Sequence, residues 1–489
     1  MNRAKTPQVG VIEALAAVLP AEALLTEPES MRPYECDGLS ALRGTPLCVA
    51  LPETAEAVAA VLAICHRHGV AVVPRGAGTG LSGGARPSTG AVLLSLARLR
   101  DMDAIDFANV CIRVGPGVRN LAISQKTRPH GLFYAPDPSS QIACSIGGNL
   151  AENSGGVHCL KYGLTTHNVL AAEVLDARGE RLEIGSLAPD SPGYNLLSLI
   201  IGSEGLLGVV TSCQLRLLPV PEETVLLLAA FGDVGRAADA VSAIIAAGIL
   251  PAGLEMMDRL AIAAAEDFVH VGYPREAAAI LLCELDGDAQ EIAADQARVE
   301  TILREHGVED LRLARDEATR LALWKGRKAA FPAVGRLAPD YYCMDGTIPR
   351  VRLAEVLAQI AELSRKFGLP VANVFHAGDG NLHPLILYDA NVEGQQQQAE
   401  QLGAEILELC VRVGGTITGE HGVGVEKLDS MCVQFTPEEL AQLHRIKAAF
   451  DPEGRLNPGK AVPTLHRCAE LGAMHVHAGS LPFPELERF

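Results

Sequence analysis

The chain has 489 residues, enough for roughly three structural units at about 150 residues each. Hydrophobic residues make up 48% and charged residues 20%, the range of a globular enzyme with an ample core, which excludes a disordered or fibrous chain. Lys and Arg number 41 against 59 Asp and Glu, a net charge of −18, so the average surface repels phosphate backbones and anionic lipid headgroups, and nucleic acid is not an expected partner.

No two of the 12 cysteines fall within the short spacings that zinc ribbons or iron–sulfur clusters need, so no cluster is expected in the chain itself. The early apolar stretch Val9 to Leu19 is interrupted by Glu13 and followed by Pro20 and Glu22, unlike a secretory signal, and reduced thiols in a cytosolic compartment are expected. No uninterrupted apolar run approaches the roughly 20 residues that span a bilayer, which argues against direct membrane insertion.

From Glu53, the segment ETAEAVAAVLAICHRHG places Val58, Val61, Leu62 and Cys65 on one helical face, with Gly69 as the C-terminal cap. A buried strand at Val70 to Val73, a glycine-rich loop, and strands at Val92 to Leu96, Cys111 to Val114 and Val169 to Leu175 follow. The last pairs with Arg181 to Ile184 through the turn Ala177-Arg178-Gly179. Pro219 and Pro221 flank the end of the strand Val209 to Leu217 and mark a domain boundary, since proline cannot continue a central ladder. Beyond it, strand Val225 to Phe231, helix Val234 to Ala247, a strand near Leu254, a helix from Arg259, strand Ala279 to Leu285 and a helix from Gln290 alternate. Gln395 to Gln398 reads as a solvated helix start. A last helix, Pro437 to Phe450, runs into DPEGRLNPGK and a tail with His466, Cys468, His475 and His477, which reads equally as a docking surface or as a packed extension. The expected organisation is an α+β first domain over 1–221, an α/β second domain over 222–430, and a helical segment with its tail over 431–489.

The segment VPRGAGTGLSGG from Val73 follows a strand, and backbone N–H groups freed of Cβ atoms can converge there on a phosphate. Gly78, Gly80 and Gly83 match G-x-G-x-x-G literally, but Ala85, Arg86 and Pro87 stand where the helix of a nicotinamide-type Rossmann site should begin, and that site is disfavoured. PDPSSQIACSIGGNLAENSGG (Pro136 to Gly156) and GSEGLLGVV (Gly202 to Val210) are equally rich in small residues between apolar strands. Three such loops point to one extended ligand that needs close backbone approach along a long path.

In the second domain, His376-Ala377-Gly378-Asp379-Gly380-Asn381-Leu382-His383 separates two histidines by an odd interval, which a straight strand would point to opposite faces. Gly378 and Gly380 permit a turn that folds both imidazoles toward one point, and Gly419-Glu420-His421-Gly422 supplies a carboxylate and a third imidazole. On spacing alone, a metal site with an open position and a purely structural turn are equally good readings. Arg327, in LWKGRKAAFPA, reads either as an exposed helix arginine or as an anion anchor whose planar fork suits a carboxylate, while Lys325 and Lys328 read as solvated.

These loops resemble those of the FAD-linked oxidases of the vanillyl-alcohol oxidase fold, with a PCMH-type FAD-binding domain, and the similarity runs from about Thr45 to the C-terminus. Within that family the chain is similar to the FAD-binding catalytic subunits of bacterial glycolate oxidases, relatives of D-lactate and D-2-hydroxyglutarate dehydrogenases. The resemblance implies that the first loop wraps the FAD pyrophosphate through Pro74, Arg75, Gly76, Ala77, Gly78, Thr79, Gly80, Leu81, Gly83 and Gly84. It implies further contacts from Pro136, Asp137, Ser140, Gly147, Gly148, Asn153, Gly155 and Gly156, then from Glu204, Gly205, Gly208, Val209 and Val210, and from Asn457 in the C-terminal segment that returns to the flavin. Covalent members often attach FAD through a histidine or cysteine in these loops; the first loop has neither, which implies noncovalent FAD, with Cys144 in the second loop as the one candidate for attachment.

HAGDGNLH and GEHG look like the metal-binding and catalytic motifs of the D-2-hydroxyacid dehydrogenases in this family. The resemblance implies a divalent metal on His376, His383 and Glu420, zinc with manganese or iron as the alternatives, and His421 as general base. It implies Arg327 as anchor for the carboxylate of a small 2-hydroxy acid, and Asp379 and Asn381 as orienting groups. Relatives acting on 2-hydroxyglutarate place a lysine where this chain reads Tyr341-Tyr342-Cys343-Met344-Asp345, which favours a monocarboxylate; Tyr342 reads as core or as site-lining. The implied activity is oxidation of glycolate and D-lactate to glyoxylate and pyruvate by hydride transfer to FAD. Electrons would leave through a second FAD-binding-like subunit and an iron–sulfur subunit of a glycolate oxidase complex, and those partners would hold a cytoplasmic protein peripherally at the inner membrane. A stand-alone D-lactate or D-2-hydroxyglutarate dehydrogenase shares the same motifs, and a metal-dependent hydrolase would use the histidine and carboxylate cluster without redox chemistry.

Overall fold

The computed structural model describes residues 7–188 and 193–464. His466, Cys468, His475 and His477 of the tail lie outside the described residues. Two compact units divide the chain: Met1–Ser154 with Leu164–Pro219 and His421–Phe489, and Gly155–Gly163 with Val220–Glu420. The segment 421–430, expected with the second domain, therefore belongs to the first unit, while Gly155 and Gly156 of the second glycine-rich loop belong to the second.

The first unit holds two four-stranded sheets. In one, Cys48–Ala50 and Val72–Arg75 flank Val92–Ser95 in parallel, and Leu24–Leu25 adds antiparallel to Cys48–Ala50. Parallel strands need a crossover, and the helix Ala55–His68 supplies it. Thr54 caps its N-terminus by accepting from Ala57 N, Gly69 ends it at φ +66°, and Val58, Val61, Leu62 and Cys65 are its buried face. The other sheet runs Cys111–Val114, Val209–Arg216, Val169–Leu175, Arg181–Gly185, antiparallel throughout, with Leu175 opposite Arg181. The C-terminal segment completes the first sheet's surroundings: Val72 bridges Leu456, and Asn457 N donates to Val72 O.

The second unit is built on one eight-stranded sheet whose pairs are all antiparallel, although helices and strands alternate along the chain. Chain order and sheet order differ: Ala279–Gly287 inserts between Glu223–Phe231 and Gly253–Asp258. The helices Val234–Ala246, Arg259–Val269, Ala289–Glu305 and Glu317–Val334 each start on an aspartate, Asp233, Asp258, Asp288 and Asp316, whose carboxylate accepts from the first-turn backbone. Among the described residues no helix is long and apolar enough to cross a membrane. Ten cysteines are free thiols, but Cys432 is disulfide-bonded, against the expectation of reduced thiols throughout.

Candidate functional site

In the first unit the three glycine-rich loops come together. No helix follows VPRGAGTGLSGG, in keeping with the exclusion of a Rossmann turn. A Cβ on Gly76 would overlap Ser145 Oγ, one on Gly205 would stand 2.6 Å from Pro74 Cγ, and one on Gly202 would stand 3.4 Å from Asn153 Cβ. The second loop is not irregular throughout: Ile146–Glu152 is a short helix, and Gly147 lets it sit on Pro116, where an added Cβ would be 2.5 Å from Pro116 Cβ. The helix joins the third loop through Gly202 N to Leu150 O and Glu204 N to Ala151 O, both 2.8 Å.

Several expected cofactor residues spend their side chains elsewhere. Arg75 donates to Cys36 O at 2.7 Å and lies over the Tyr34 ring. Val209 and Val210 are buried in two different core clusters, so only their backbone is left for a ligand. Glu204 accepts from Val423 N and Gly424 N at 2.7 Å each, which fixes the turn after His421. Asn457 Nδ2 donates to Gly84 O and Glu204 O, and Lys460 Nζ to Gly84 O, Arg86 O and Asn457 Oδ1, so the C-terminal segment ties the first loop to the third. Lys460 carried no signal in the sequence; burial pushes its amine down to about 7. Cys144 is buried with its thiol 3.5 Å from Asn149 Nδ2.

The loops fit FAD. Ser145 Oγ is buried beside Gly76 and Gly148 with no hydrogen-bond partner, and an added Cβ on Gly80 would meet nothing nearer than Glu152 Oε1 at 4.0 Å. A backbone surface with room beside it and an unsatisfied hydroxyl suits a long polar cofactor.

In the second unit charged side chains do the corresponding work. The strands Val371–His376 and Asn381–Tyr388 form a hairpin through Gly378 and Gly380, with His376 paired to Asn381 and Val374 to His383. The turn brings both imidazoles together, ring centroids 5.1 Å apart. His376 Nε2 and His383 Nε2 lie 3.3 and 3.1 Å from Glu420 Oε1. On the far side of each ring, His376 Nδ1 lies 2.8 Å from Glu255 Oε1 and His383 Nδ1 3.4 Å from Met344 O. A carboxylate or carbonyl only accepts, so each Nδ1 carries its hydrogen, and each Nε2 facing Glu420 either carries a second one or leaves its lone pair to a cation. Lone pairs facing an anionic oxygen repel one another unless a proton or a cation lies between them.

The electrostatics agree. Burial works to lower the His376 pKa, but Glu255 and Glu420 outweigh it and push the imidazole well up. Burial works to raise Glu420, but hydrogen bonding with the two imidazoles outweighs it and holds the carboxyl well below its ordinary range. One ligand atom from each of His376, His383 and Glu420 lies within 4.8 Å of the others, and two imidazole nitrogens with one carboxylate, each imidazole oriented from behind, is a donor set that fits a divalent cation.

Arg327 is 1% exposed, which removes the reading of a solvated helix arginine; Lys325, on the same helix, is exposed. Its Nη2 forms an ion pair with Glu255 Oε2 at 2.6 Å, while Nε and Nη1 are buried without hydrogen-bond partners among the described residues. Asn381 Oδ1 is likewise buried and unpartnered. Asp345, fully buried, accepts from Thr418 Oγ1 at 2.6 Å and from Gly419 N and Glu420 N at 3.1 Å each, which fixes the backbone that presents Glu420. Glu255 was missed by the sequence reading; a lone carboxylate inside the apolar run LEMM is its only trace there.

Residues 46–185 match an FAD binding domain family, and residues 220–461 match the C-terminal domain of FAD linked oxidases. The chain belongs to the family of FAD-linked oxidases. It is 61% identical over 482 residues to the glycolate oxidase subunit GlcD of Escherichia coli (strain K12), covering 99% of this chain and 97% of that one. It is 39% identical to the subunit of the same name from Bacillus subtilis (strain 168), covering 87% and 91%, and 32% identical to a D-lactate dehydrogenase of Anaerostipes hadrus, covering 83% and 87%. Among solved structures, 4-ethylphenol oxidase from Gulosibacter chungangensis superposes with a TM-score of 0.79 at 17% identity, covering 95% of this chain and 99% of that one, which shows a shared fold.

Proposed function

We propose that this flavoprotein oxidises glycolate, and also D-lactate, to the corresponding 2-oxo acid. The observation that carries the reading is the group in which His376, His383 and Glu420 face one point while the Nε and Nη1 of Arg327 have no hydrogen-bond partner among the described residues. FAD, held noncovalently along the three loops of the first unit and Asn457, would supply the hydride acceptor, and His376, His383 and Glu420 would hold a divalent ion, zinc with manganese or iron as the alternatives, that would supply Lewis acidity. Arg327 binds the substrate carboxylate through its guanidinium N–H groups, Asn381 orients the substrate, and His421, next in the chain after Glu420, takes the hydroxyl proton.

A monocarboxylate is favoured because the position that the dicarboxylate-oxidising relatives fill with a lysine falls in the stretch ending at Asp345, a buried acid already committed to the 418–420 backbone. The resemblance to glycolate oxidase subunits supports a multisubunit assembly. In it, a second FAD-binding-like subunit and an iron–sulfur subunit relay electrons and hold a cytoplasmic protein at the inner membrane. The functional division follows as 1–221 for FAD, 222–430 for substrate and metal, and 431–489 for the returning segment and tail.

Anaerobic mixing of the purified yellow protein with glycolate, D-lactate, L-lactate and D-2-hydroxyglutarate tests this. Glycolate and D-lactate should bleach the flavin; bleaching by D-2-hydroxyglutarate alone would replace the substrate assignment. Turnover with an artificial acceptor but no transfer to added partner subunits would favour a stand-alone dehydrogenase.

A further inference from the structure

The buried carboxylates of the second unit differ in what they hold. Glu284 pairs with His158 and Trp324, and Asp286 with Lys161 and Tyr162, which fastens residues 155–163 to the sheet. Asp258 caps a helix and accepts from Asn373. Glu255 alone among these touches two groups of the candidate site, through opposite oxygens: Oε1 to His376 Nδ1 at 2.8 Å, Oε2 to Arg327 Nη2 at 2.6 Å.

The sheet register explains why. Gly253–Asp258 pairs antiparallel with Val371–His376, Met256 opposite Phe375 and Met257 opposite Val374. One step further along the same register puts Glu255 opposite His376, where cross-strand side chains share a face. Arg327 reaches the other oxygen from the helix Glu317–Val334, whose close seat at Gly326 against the Tyr273 ring leaves no room for a Cβ.

We infer that Glu255 is a positioning residue that couples the two halves of the site. A single carboxylate fixes the imidazole that presents a nitrogen to the metal and the guanidinium that receives the substrate carboxylate. It selects the Nδ1–H form of His376 and leaves Nε2 as the ligand. By pairing with Nη2 of Arg327 it fixes the plane of the guanidinium, whose remaining N–H groups are left to receive an incoming carboxylate. Because both contacts come from one rigid strand, the spacing between metal and anion anchor is set by Glu255 and not by either partner's own flexible side chain.

The inference rests on the metal and anchor roles proposed above, and the test separates the two. The FAD-loaded, metal-stripped protein is titrated with zinc by chelator competition. Separately, it is titrated without metal with 2-hydroxyisobutyrate, which has no C2 hydrogen to lose, followed by the flavin absorption spectrum. His383→Ala should weaken zinc binding only, and Arg327→Lys the anion only. Glu255→Gln should weaken both, zinc by about 10- to 100-fold and the anion by about tenfold, with flavin content retained as the check on folding. In an Arg327→Met background its effect on the anion should vanish, whereas general loosening of the unit would persist there. If the two controls behave and Glu255→Gln spares either ligand, the coupling role is overturned. If the controls themselves keep zinc and anion, the reading of the site fails and takes the inference with it. Should Glu255→Gln lose its flavin, Glu255→Asp is read by the same criteria, since it keeps the charge but is one methylene too short to hold both partners.

Discussion

The two units prepare for their ligands with opposite materials. The first unit offers main chain: glycines at Gly76, Gly202 and Gly205 let three loops touch, and the charged groups nearby, Arg75, Glu204 and Lys460, are spent holding backbone in place. The second offers side chains: two imidazoles, two carboxylates and a guanidinium, all buried except the partly exposed Glu420, and aimed by one another. A backbone cradle is sensitive to volume and indifferent to charge, whereas a charged cluster is sensitive to a single atom and tolerates volume at its rim.

The sharpest way to break that contrast is to remove a ligand atom. His383→Ala should lower kcat/KM for glycolate by more than about a hundredfold and abolish stoichiometric metal in elemental analysis. Flavin content should stay at the wild-type level, because the loops of the first unit do not depend on charge in the second. Loss of flavin together with metal would erase the division between the two materials.

A smaller effect separates volume from conformation within the cradle itself. Gly205 and Gly131 have nearly the same left-handed backbone, φ +72° and +73°, but an added Cβ at Gly205 would be 2.6 Å from Pro74 Cγ while at Gly131 it would meet nothing within 4 Å. Gly131→Ala should cost only the left-handed penalty of about 1 kcal/mol, read from denaturant unfolding. Gly205→Ala should cost at least about twice that and should also release FAD more readily, measured as flavin fluorescence on dilution. Equal losses at the two positions would show that crowding between the loops is unimportant.

The smallest effect concerns pH. Burial pushes Asp258 up to about 6 from the ordinary 3.8, against the backbone and Asn373 hydrogen bonds that favour its charged form. Between those values the folded chain binds more protons than the unfolded one, so this group's contribution to stability is full below about pH 4 and is lost as pH rises through 6. The difference in unfolding midpoint between the wild type and Asp258→Asn should therefore shift in the variant's favour from pH 4 to 6 and level off above. Asparagine keeps the helix cap, and a flat difference would mean that the carboxyl is not desolvated in the folded chain.

Much of this architecture was legible where local chemistry repeats a simple rule. The strands Cys111–Val114 and Val169–Leu175 and the helix Pro437–Phe450 fall at the bounds expected from the sequence. His376 and His383 were legible as a pair because the two intervening glycines allow only a turn to bring them together. What stayed hidden depended on distance along the chain. Glu255 meets His376 across 121 residues of sequence, farther along the chain than any motif reaches, and nothing local distinguishes it from a strand-edge glutamate. The helix Ile146–Glu152 was concealed because it contains Gly147 and Gly148, which mark a loop in composition; packing on Pro116 overrides that preference. Glu204 was read as a ligand contact, but its carboxylate serves residues 423 and 424, which only the folded chain brings near.

The bridge between Val72 and Leu456, with Asn457 and Lys460 fastened to Gly84, has a consequence for biosynthesis. The strand and loop that open the flavin-binding unit emerge from the ribosome early, yet the residues that lock them are translated almost last, after the entire second unit. A nascent chain therefore holds that strand and loop without their Leu456, Asn457 and Lys460 contacts until the second unit has been made.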